Sequence, residues 1–445
     1  MTKHRARRPG LPSNERLLSL QRDTFSHFWR EANPANGLLP DNTHQKTAPA
    51  SVAGVGLALA AYVVGVTRRF VTRAEALERI LATLRFFSTS SQAGGDGSTG
   101  YQGFYYHFLD VKTGRRAWQC ELSTIDTAIF LAGALTAARY FDGEAAADRE
   151  LRELADALYR RANWQWAQNG GAAITHGWTP EHGFLPYRWT GYNEALLLYV
   201  LALGSPAFPA SADGYNQWTS TYRWKKIYGY ELLYGGPLFI HQFSHLWIDF
   251  RGIQDAFMRA KCIDYFENSR RATYVQREYA IRNPRRFAGY GEFTWGLSAS
   301  NGPGPVTLRL NGKTRHFLGY SSRGVPFGPD DGTLAPWSAA ASLPFAPEIV
   351  LPTIDHYLER LPRAITKYGL MCSINPTFRR PSQHKTGWVS HGHFTLNQGP
   401  VILMIENYRT GLIWRLMRRS PFIVNGLRRA GFEGGWLGTP VASQD

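Results

Sequence analysis

Cysteine is scarce in this 445-residue chain: Cys120, Cys262 and Cys372 stand far apart and form no Cys-x-x-Cys pair. That excludes a disulfide framework or a structural zinc knuckle as the basis of the fold. Long apolar runs are lacking too. The stretch that comes nearest, VAGVGLALAAYVVGV at 52–66, is shorter than the ~20 residues a membrane span needs. Its Ala and Gly content suits a helix packed tightly inside a protein. No phosphate-binding glycine loop follows a strand. Acidic side chains fall short of basic ones, 34 against 50, for a net charge of +16. That surplus favours anionic partners without choosing among nucleic acid, lipid and anionic polymer. Charged residues are only 19% of the chain and hydrophobic ones 44%, which excludes disorder as its main state. Aromatics are abundant: 14 Trp, 22 Tyr and 25 Phe call for a large core or for stacking surfaces. The basic opening, MTKHRARRPG, leads into an amphipathic helix at 11–32 and not into a signal-peptide core. A cytoplasmic location is expected, with a periplasmic one as the alternative, and no integral membrane span.

The remaining pattern is helical. Segments 51–66, 122–138 and 193–204 are apolar nearly all round, so each must be covered on most sides. Segments 73–88 and 147–162 are amphipathic: Leu77, Ile80, Leu81 and Leu84 form one stripe, and Leu151, Leu154, Ala155 and Leu158 another. Thr72-x-x-Glu75 predicts a capping box ahead of the first. Further helices are predicted over 16–32, 240–250, 255–280, 336–343, 347–361, 398–406 and 411–430. Short strands are predicted over 305–310 and 315–319, around an Asn311-Gly312 turn. Inner apolar helices alternate with outer charged ones, joined by long loops rich in aromatics and glycine. The alternation predicts an all-α fold, a closed (α/α)6 toroid whose long loops and few short strands form the cleft. A stacked solenoid would need a fixed period of ~34–47 residues, and none is seen. The expected organisation is a flexible basic tail (1–13), one catalytic domain (14–435) and a C-terminal tail (436–445).

Four clusters bring polar chemistry to the loop ends of these helices. The first runs from Tyr106 and His107 through Trp118 to Glu121, Ser123 and Asp126, at the start of an inner helix. Carboxylates there either satisfy free N–H groups at the helix N-terminus or face the cleft. The second holds Trp189, Tyr192 and Glu194, entering the apolar helix 195–204. Burial would raise the pKa of Glu194, as a general acid requires; the structural alternative is a first-turn carboxylate. The third holds His241, His245, Trp247, Asp249 and Arg251. Gln242 stands where a zincin motif has Glu, so no metal is expected. Hydrogen bonding to a polar substrate or core packing fits these histidines better, and Asp249–Arg251 reads as a structural ion pair. The fourth sets Glu292 between Tyr290 and Trp295 among glycines, a carboxylate with little core-building reason. Asp330-Asp331-Gly332 reads as a rim turn, and Asn397 lies in a polar loop opening the last helices. Several carboxylates with abundant Trp and Tyr suit carbohydrate chemistry, where two carboxyl groups act on a glycosidic bond and aromatic faces stack on sugars.

These segments resemble the glycoamylase-like family, including glycoside hydrolase family 144. The likeness rests on Leu17–Trp29, Gly103–Asp110, Ser123–Asp126, Tyr192-Asn-Glu194, His241–Asp249, Tyr290-Gly-Glu292, Trp295–Ser300, Leu343–Glu348 and Ile405–Gly411. It implies an (α/α)6 toroid that hydrolyses β-1,2-glucan, polymer or oligosaccharide, by carboxylate acid/base catalysis. A β-1,2-glucan transglycosylase or a non-catalytic glucan-binding relative are the alternatives. It makes Glu194 the leading proton donor, with Asp126, Glu121 and Glu292 as cleft carboxylates. Tyr106, His107, Trp189, Tyr192, His241, His245, Trp247, Asp249, Tyr290, Trp295 and Asn397 become candidate substrate contacts. No cofactor is implied. One departure stands out: the resemblance leads one to expect Asp where Asn397 stands, and an amide cannot take a proton as a carboxylate does. Arg409, Arg415, Arg418, Arg419, Arg428 and Arg429 crowd the end of the chain. A solvated outer face accounts for such a run, so no nucleic-acid partner is expected.

Overall fold

The computed structural model describes residues 13–310, 312–379 and 387–438. All but the last residue of the expected basic tail, Asn311 of the expected turn, and 439–445 of the C-terminal tail lie outside the described residues. Within them the chain is mostly helical, with small antiparallel sheets. In chain order come α1 (Ser13–Glu31), α2 (Val52–Thr67), α3 (Arg73–Thr89), α4 (Thr124–Tyr140), α5 (Ala146–Arg161) and the single turn α6 (Trp164–Ala167). Then come α7 (Ala195–Gly204), α8 (Ala212–Ser220), α9 (Ala256–Ala260) and α10 (Tyr265–Arg282). The last are α11 (Pro336–Ala341), α12 (Pro347–Arg360), α13 (Thr395–Thr410), α14 (Leu412–Arg418) and α15 (Pro421–Arg429). No helix among the described residues is long and apolar enough to cross a membrane.

Local chemistry sets these boundaries. Thr72 and Glu75 form the predicted capping box of α3, and Ser51 and Ser123 cap α2 and α4. Three predicted helices come out differently. The 240–250 segment folds as two short 3-10 turns, Leu238–His241 and Ser244–Leu246. Its polar side chains are anchored on neighbours instead: Gln242 donates to the Ser338 carbonyl, and Ser244 Oγ to the Glu194 carbonyl at 3.1 Å. The 255–280 segment splits because Cys262 takes a left-handed φ of +55°, and α9 and α10 each start on an Asp cap, Asp255 and Asp264. The 411–430 segment breaks before Pro421, which lacks the N–H to continue α14. The 305–319 hairpin pairs Val306–Leu310 with Lys313–Phe317.

Helices α2, α4, α7, α11 and α13 are sheathed on nearly every side, and α2 packs against both α4 and α13. At the α2–α4 crossing the backbones touch: a Cβ on Gly133 would lie 2.0 Å from the Gly56 carbonyl oxygen. Only glycine permits that approach. Outside, α3 packs on α5, α15 on α7, α1 on α13 and α12 on α11. At the C-terminal ends of α2 and α13, Glu406 is fully buried and gripped by Arg68 at 2.7 Å through two nitrogens.

The opposite ends, the helix N-termini, are held by short strands. Five of these pair in the order Gly100–Tyr101, Phe104–Tyr106, Leu122–Ser123, Gly177–Thr179, Gly183–Phe184. Ser123 pairs with Tyr105 on one side and Gly177 on the other, so the sheet delivers the chain straight into α4. Ser51 pairs with Phe108, and the Val52 amide donates to the His107 carbonyl at 3.2 Å, which pins the start of α2 to the same sheet region. The Thr395 amide at the start of α13 donates to the Asp41 carbonyl at 2.8 Å.

The arginines near the C-terminus are occupied within the fold. Arg418 and Arg251 grip Asp249, Arg419 pairs with Asp142 at 3.3 Å, and Arg429 donates to the Leu203 carbonyl at 2.9 Å.

Candidate active site

A cavity of about 190 Å³ opens where the N-termini of α4, α7, α11 and α13 converge. Its polar lining is His107, Asp126, Glu194, Tyr320 and Asn397; Ile125, Ile129, Phe239, Phe243 and Leu396 supply apolar walls. Trp337 also lines it and is buried, with an indole N–H that meets no acceptor in the fold. Converging helix N-termini carry partial positive charge, so this is a favourable place for carboxylates.

Asp126 sits in the first turn of α4, where capping was the structural alternative. Ser123 does the capping instead: its Oγ accepts from the Asp126 amide at 3.2 Å and donates to the Asp126 carboxylate. The other carboxylate oxygen of Asp126 faces His107 Nε2 at 3.6 Å. The second nitrogen of that ring, Nδ1, bonds Glu121 Oε1 at 2.8 Å. Burial alone would lower the His107 pKa, but the charges of Asp126, Glu121 and Asp41 reverse this and hold it at about 9. The ring is therefore an imidazolium at neutral pH, held between carboxylates. In return, although burial pushes Glu121 up, its bond to His107 keeps it below its ordinary value.

Glu194 is the N-cap residue of α7, yet its side chain caps nothing. The neighbouring Asn193 Oδ1 accepts from the Ala195 amide at 3.1 Å. The carboxyl lines the cavity, and the residue is half-buried. Burial first, and then the charge of Asp126, push its pKa up to about 7, against the pull of its own backbone amide. A helix N-terminus alone would have moved it the other way, so desolvation decides.

Other predicted residues lie elsewhere. Glu292 is 54% exposed and ion-paired with Arg277 of α10, which removes it from the carboxylate cluster. Tyr106 is buried, donates to the Gly94 carbonyl, and carries Arg116 over its ring. Tyr290 donates to Asp330 at 2.6 Å, and Trp295 to Thr353 at 2.9 Å, both as internal contacts. Trp189 is buried against His176 and donates to Thr124 at 3.1 Å. His241 and His245 are core residues, bonded to the Gly235 carbonyl at 3.0 Å and to Ser269 at 3.0 Å; burial lowers them to about 4 and about 3. Trp247 is buried, and Asp249 is locked in its arginine pairs. Tyr192 packs on Tyr265 and lines a neighbouring, wider cleft of about 500 Å³ together with Arg223 and Tyr234. Asn397 does line the cavity, donating to Cys372 Sγ at 3.3 Å.

Two residues of this region carry no signal in the sequence. Asp41 stands among the Asn42 side chain, His107 and Asp126, and burial raises its pKa. Tyr320 lines the cavity with 66% of its surface exposed, and the charges of Asp41, Glu194 and Asp126 act on its hydroxyl. No spacing rule marks either one.

Comparison with known proteins adds kinship to this geometry. Residues 186–421 match the model of the Glycoamylase family, described as "Putative glucoamylase". A crystal structure from Bacteroides uniformis, described in the same terms, superposes with a TM-score of 0.85 at 30% identity, covering 97% of this chain and 100% of that one. The endo-β-1,2-glucanase of Chitinophaga pinensis, solved with sophorotriose and glucose, gives 0.82 at 26% identity, covering 96% and 100%. The exo-β-1,2-glucooligosaccharide sophorohydrolase of Parabacteroides distasonis is 27% identical over 94% of this chain, which spans 58% of that protein's length. With its family match over more than half its residues and a near-complete superposition on the Bacteroides structure, the chain belongs to the Glycoamylase family.

Proposed function

We propose that this protein is a glycoside hydrolase that cleaves β-1,2-linked glucose polymers or oligosaccharides. The observation that carries this reading is the shared cavity of Glu194 and Asp126, one carboxyl held near neutrality and the other beside an imidazolium. The substrate class rests on the relatives, a sophorohydrolase and an endo-β-1,2-glucanase. Glu194 gives its proton to the glycosidic oxygen as the C–O bond breaks. Asp126 takes a proton from the water that adds at the anomeric carbon. His107 holds Asp126 in place, Glu121 holds His107, and the apolar walls keep other water away.

The same proposal includes the closed architecture. The inner ring runs α2, α4, α7, the two 3-10 turns, α11 and α13, and the contact of α13 with α2 supports its closure into an (α/α)6 toroid. Residues 14–435 then form one catalytic domain.

The test is incubation with linear β-1,2-glucan, products resolved by size, for the wild type and Glu194→Gln. Release of shorter glucans by the wild type and none by the variant is expected. An active variant removes Glu194 from its role. Asn397 favours one second reading, a glucan-binding protein without turnover, since an amide in the cavity takes no proton. Calorimetric binding without any product would select it.

A further inference from the structure

Trp118 is 60% exposed, an unusual position for an indole in a chain that buries most of its large rings. Its backbone is unusual as well. Trp118 and Gln119 both lie in the left-handed region, at φ +56° and +48°, which bulky side chains seldom adopt. A buried guanidinium holds this turn in place. Arg116 donates to the Cys120 carbonyl at 2.7 Å and to the Gln119 carbonyl at 2.8 Å, while Asp96, at 2.8 Å, and Glu181 pair with its remaining face. A strained backbone persists only where its surroundings over-determine it, and here the product is an indole held out in solvent.

The indole connects to the cavity. His107 stacks face to face on Phe108, with ring centroids 4.1 Å apart and planes 9° from parallel. Phe108 in turn meets Trp118 at 5.0 Å. His107 lines the cavity, so a run of rings leads from the carboxylates to the surface. Packing of the core does not need Trp118 there. A polar chain of rings with C–H faces does, because the electron-rich face of an indole attracts such faces.

From this geometry we infer that Trp118 is an outlying sugar-stacking platform, a specificity-determining residue that favours long glucan chains over short ones. It deepens the β-1,2-glucan reading and rests on it. A sugar unit near Asp126 and Glu194 is held by the cavity. A unit farther along the same chain reaches Trp118, so only chains long enough to span the ring run gain from it.

The experiment compares kcat/KM on the shortest β-1,2-glucooligosaccharide that the wild type cleaves with kcat/KM on a long linear β-1,2-glucan. Trp118→Gly suits the left-handed backbone, so it should fold with an undiminished Tm; Trp118→Asn, also tolerant of that region, serves as the second variant. Both variants should lose on the order of tenfold in kcat/KM on the long chain, through KM, a loss of ~1.4 kcal/mol in binding. The short substrate should change less than about twofold, and Trp118→Phe should restore most of the loss. An equal loss on both substrates, or none on the long one, overturns the proposal while leaving the hydrolase reading intact. Absence of wild-type turnover on either substrate overturns the hydrolase reading, and this proposal with it.

Discussion

Two glutamates sit in nearly the same local sequence and end in opposite environments. Tyr192-Asn193-Glu194 and Tyr290-Gly291-Glu292 share a Tyr-x-Glu spacing inside aromatic loops. Glu194 is half-buried in the cavity wall, where desolvation raises its pKa to about 7. Glu292 is half in solvent and neutralised by Arg277. The difference lies in the segment fused to the C-terminal side of each glutamate. After Glu194 comes ALLLYVLALG, all of it buried, and an apolar helix drags its own N-terminus into the interior. After Glu292 the chain doubles back, with Gly291 and Thr294 exchanging backbone hydrogen bonds at 3.2 Å, and this tight turn holds Glu292 outside the buried, non-helical run 294–298 that follows. An aromatic loop does not bury its carboxylate; the apolar element fused to it does.

The largest effect expected from this contrast is at Glu194. Glu194→Gln should lower kcat by on the order of 10³-fold, the usual range for loss of a positioned general acid. The sign of its stability effect is opposite to that of a packed core residue. The folded pKa, about 7, lies above the ordinary 4.5, so the native state keeps a proton that the unfolded chain has released. The stabilisation is complete below pH 4.5 and is lost as pH rises through 7. The variant removes that loss, so its Tm at pH 8 should equal or exceed that of the wild type in a thermal melt. A clear drop in Tm would mean the carboxyl has a structural partner. Wild-type kcat/KM should also decline above about pH 7, as Glu194 gives up its proton.

Next in size is His107. His107→Gln removes the cation between Asp126 and Glu121, and activity should fall about 10–100-fold as Asp126 loses its fixed geometry. Here too the folded pKa is raised, to about 9 from an ordinary 6.5. The ion pairs therefore stabilise fully below pH 6.5, and that contribution is lost as pH climbs through 9. Wild-type Tm should decline across pH 6.5–9, and the variant should lose that slope. A variant whose slope matches the wild type would show that His107 is neutral in the native state.

These two residues also show how far the sequence could be read. All-round apolarity located the buried α2, α4 and α7, and Thr72 with Glu75 gave a helix start to the residue, because caps and periodicity are local. Asp126 and Glu194 were legible because they open apolar helices. Asp41 and Tyr320 were not, since each reaches the cavity region through contacts distant in sequence. Asp41 is set by α13, whose Thr395 amide it accepts. The segment carrying Tyr320 is set by Asp331, which accepts from the Leu318 amide at 2.8 Å and pairs with the buried Arg323 at 2.7 Å. Asp331 itself read as part of a rim turn and is instead an interior anchor. His241, His245, Tyr290 and Trp295 read as substrate contacts because polar aromatics look alike in sequence whether they bond a ligand or a backbone carbonyl.

A smaller effect, one of position on the pH axis, is expected at Asn397. Asn397→Asp would place a third carboxylate in the cavity lining with Asp126 and Glu194. Like charges favour the protonated form of a neighbour, so the pH at which kcat/KM begins its decline should rise. A decline at lower pH would mean that the new carboxylate is screened from Glu194.

The smallest effect completes the contrast. Glu292→Gln removes a carboxylate of the same type, two residues after the same kind of tyrosine, and should change kcat/KM less than about twofold. Its ion pair with Arg277 is open to solvent, where water and salt screen the charges and side-chain ordering offsets the rest, so the stability change should stay within ~0.5 kcal/mol. Denaturant melts at low and high salt provide the check. If Glu292→Gln reduced activity as Glu194→Gln does, substrate would have to bridge from the cavity to the outer end of α10. Burial would then no longer separate the two glutamates, and the apolar helix behind Glu194 would not be the cause of its reactivity.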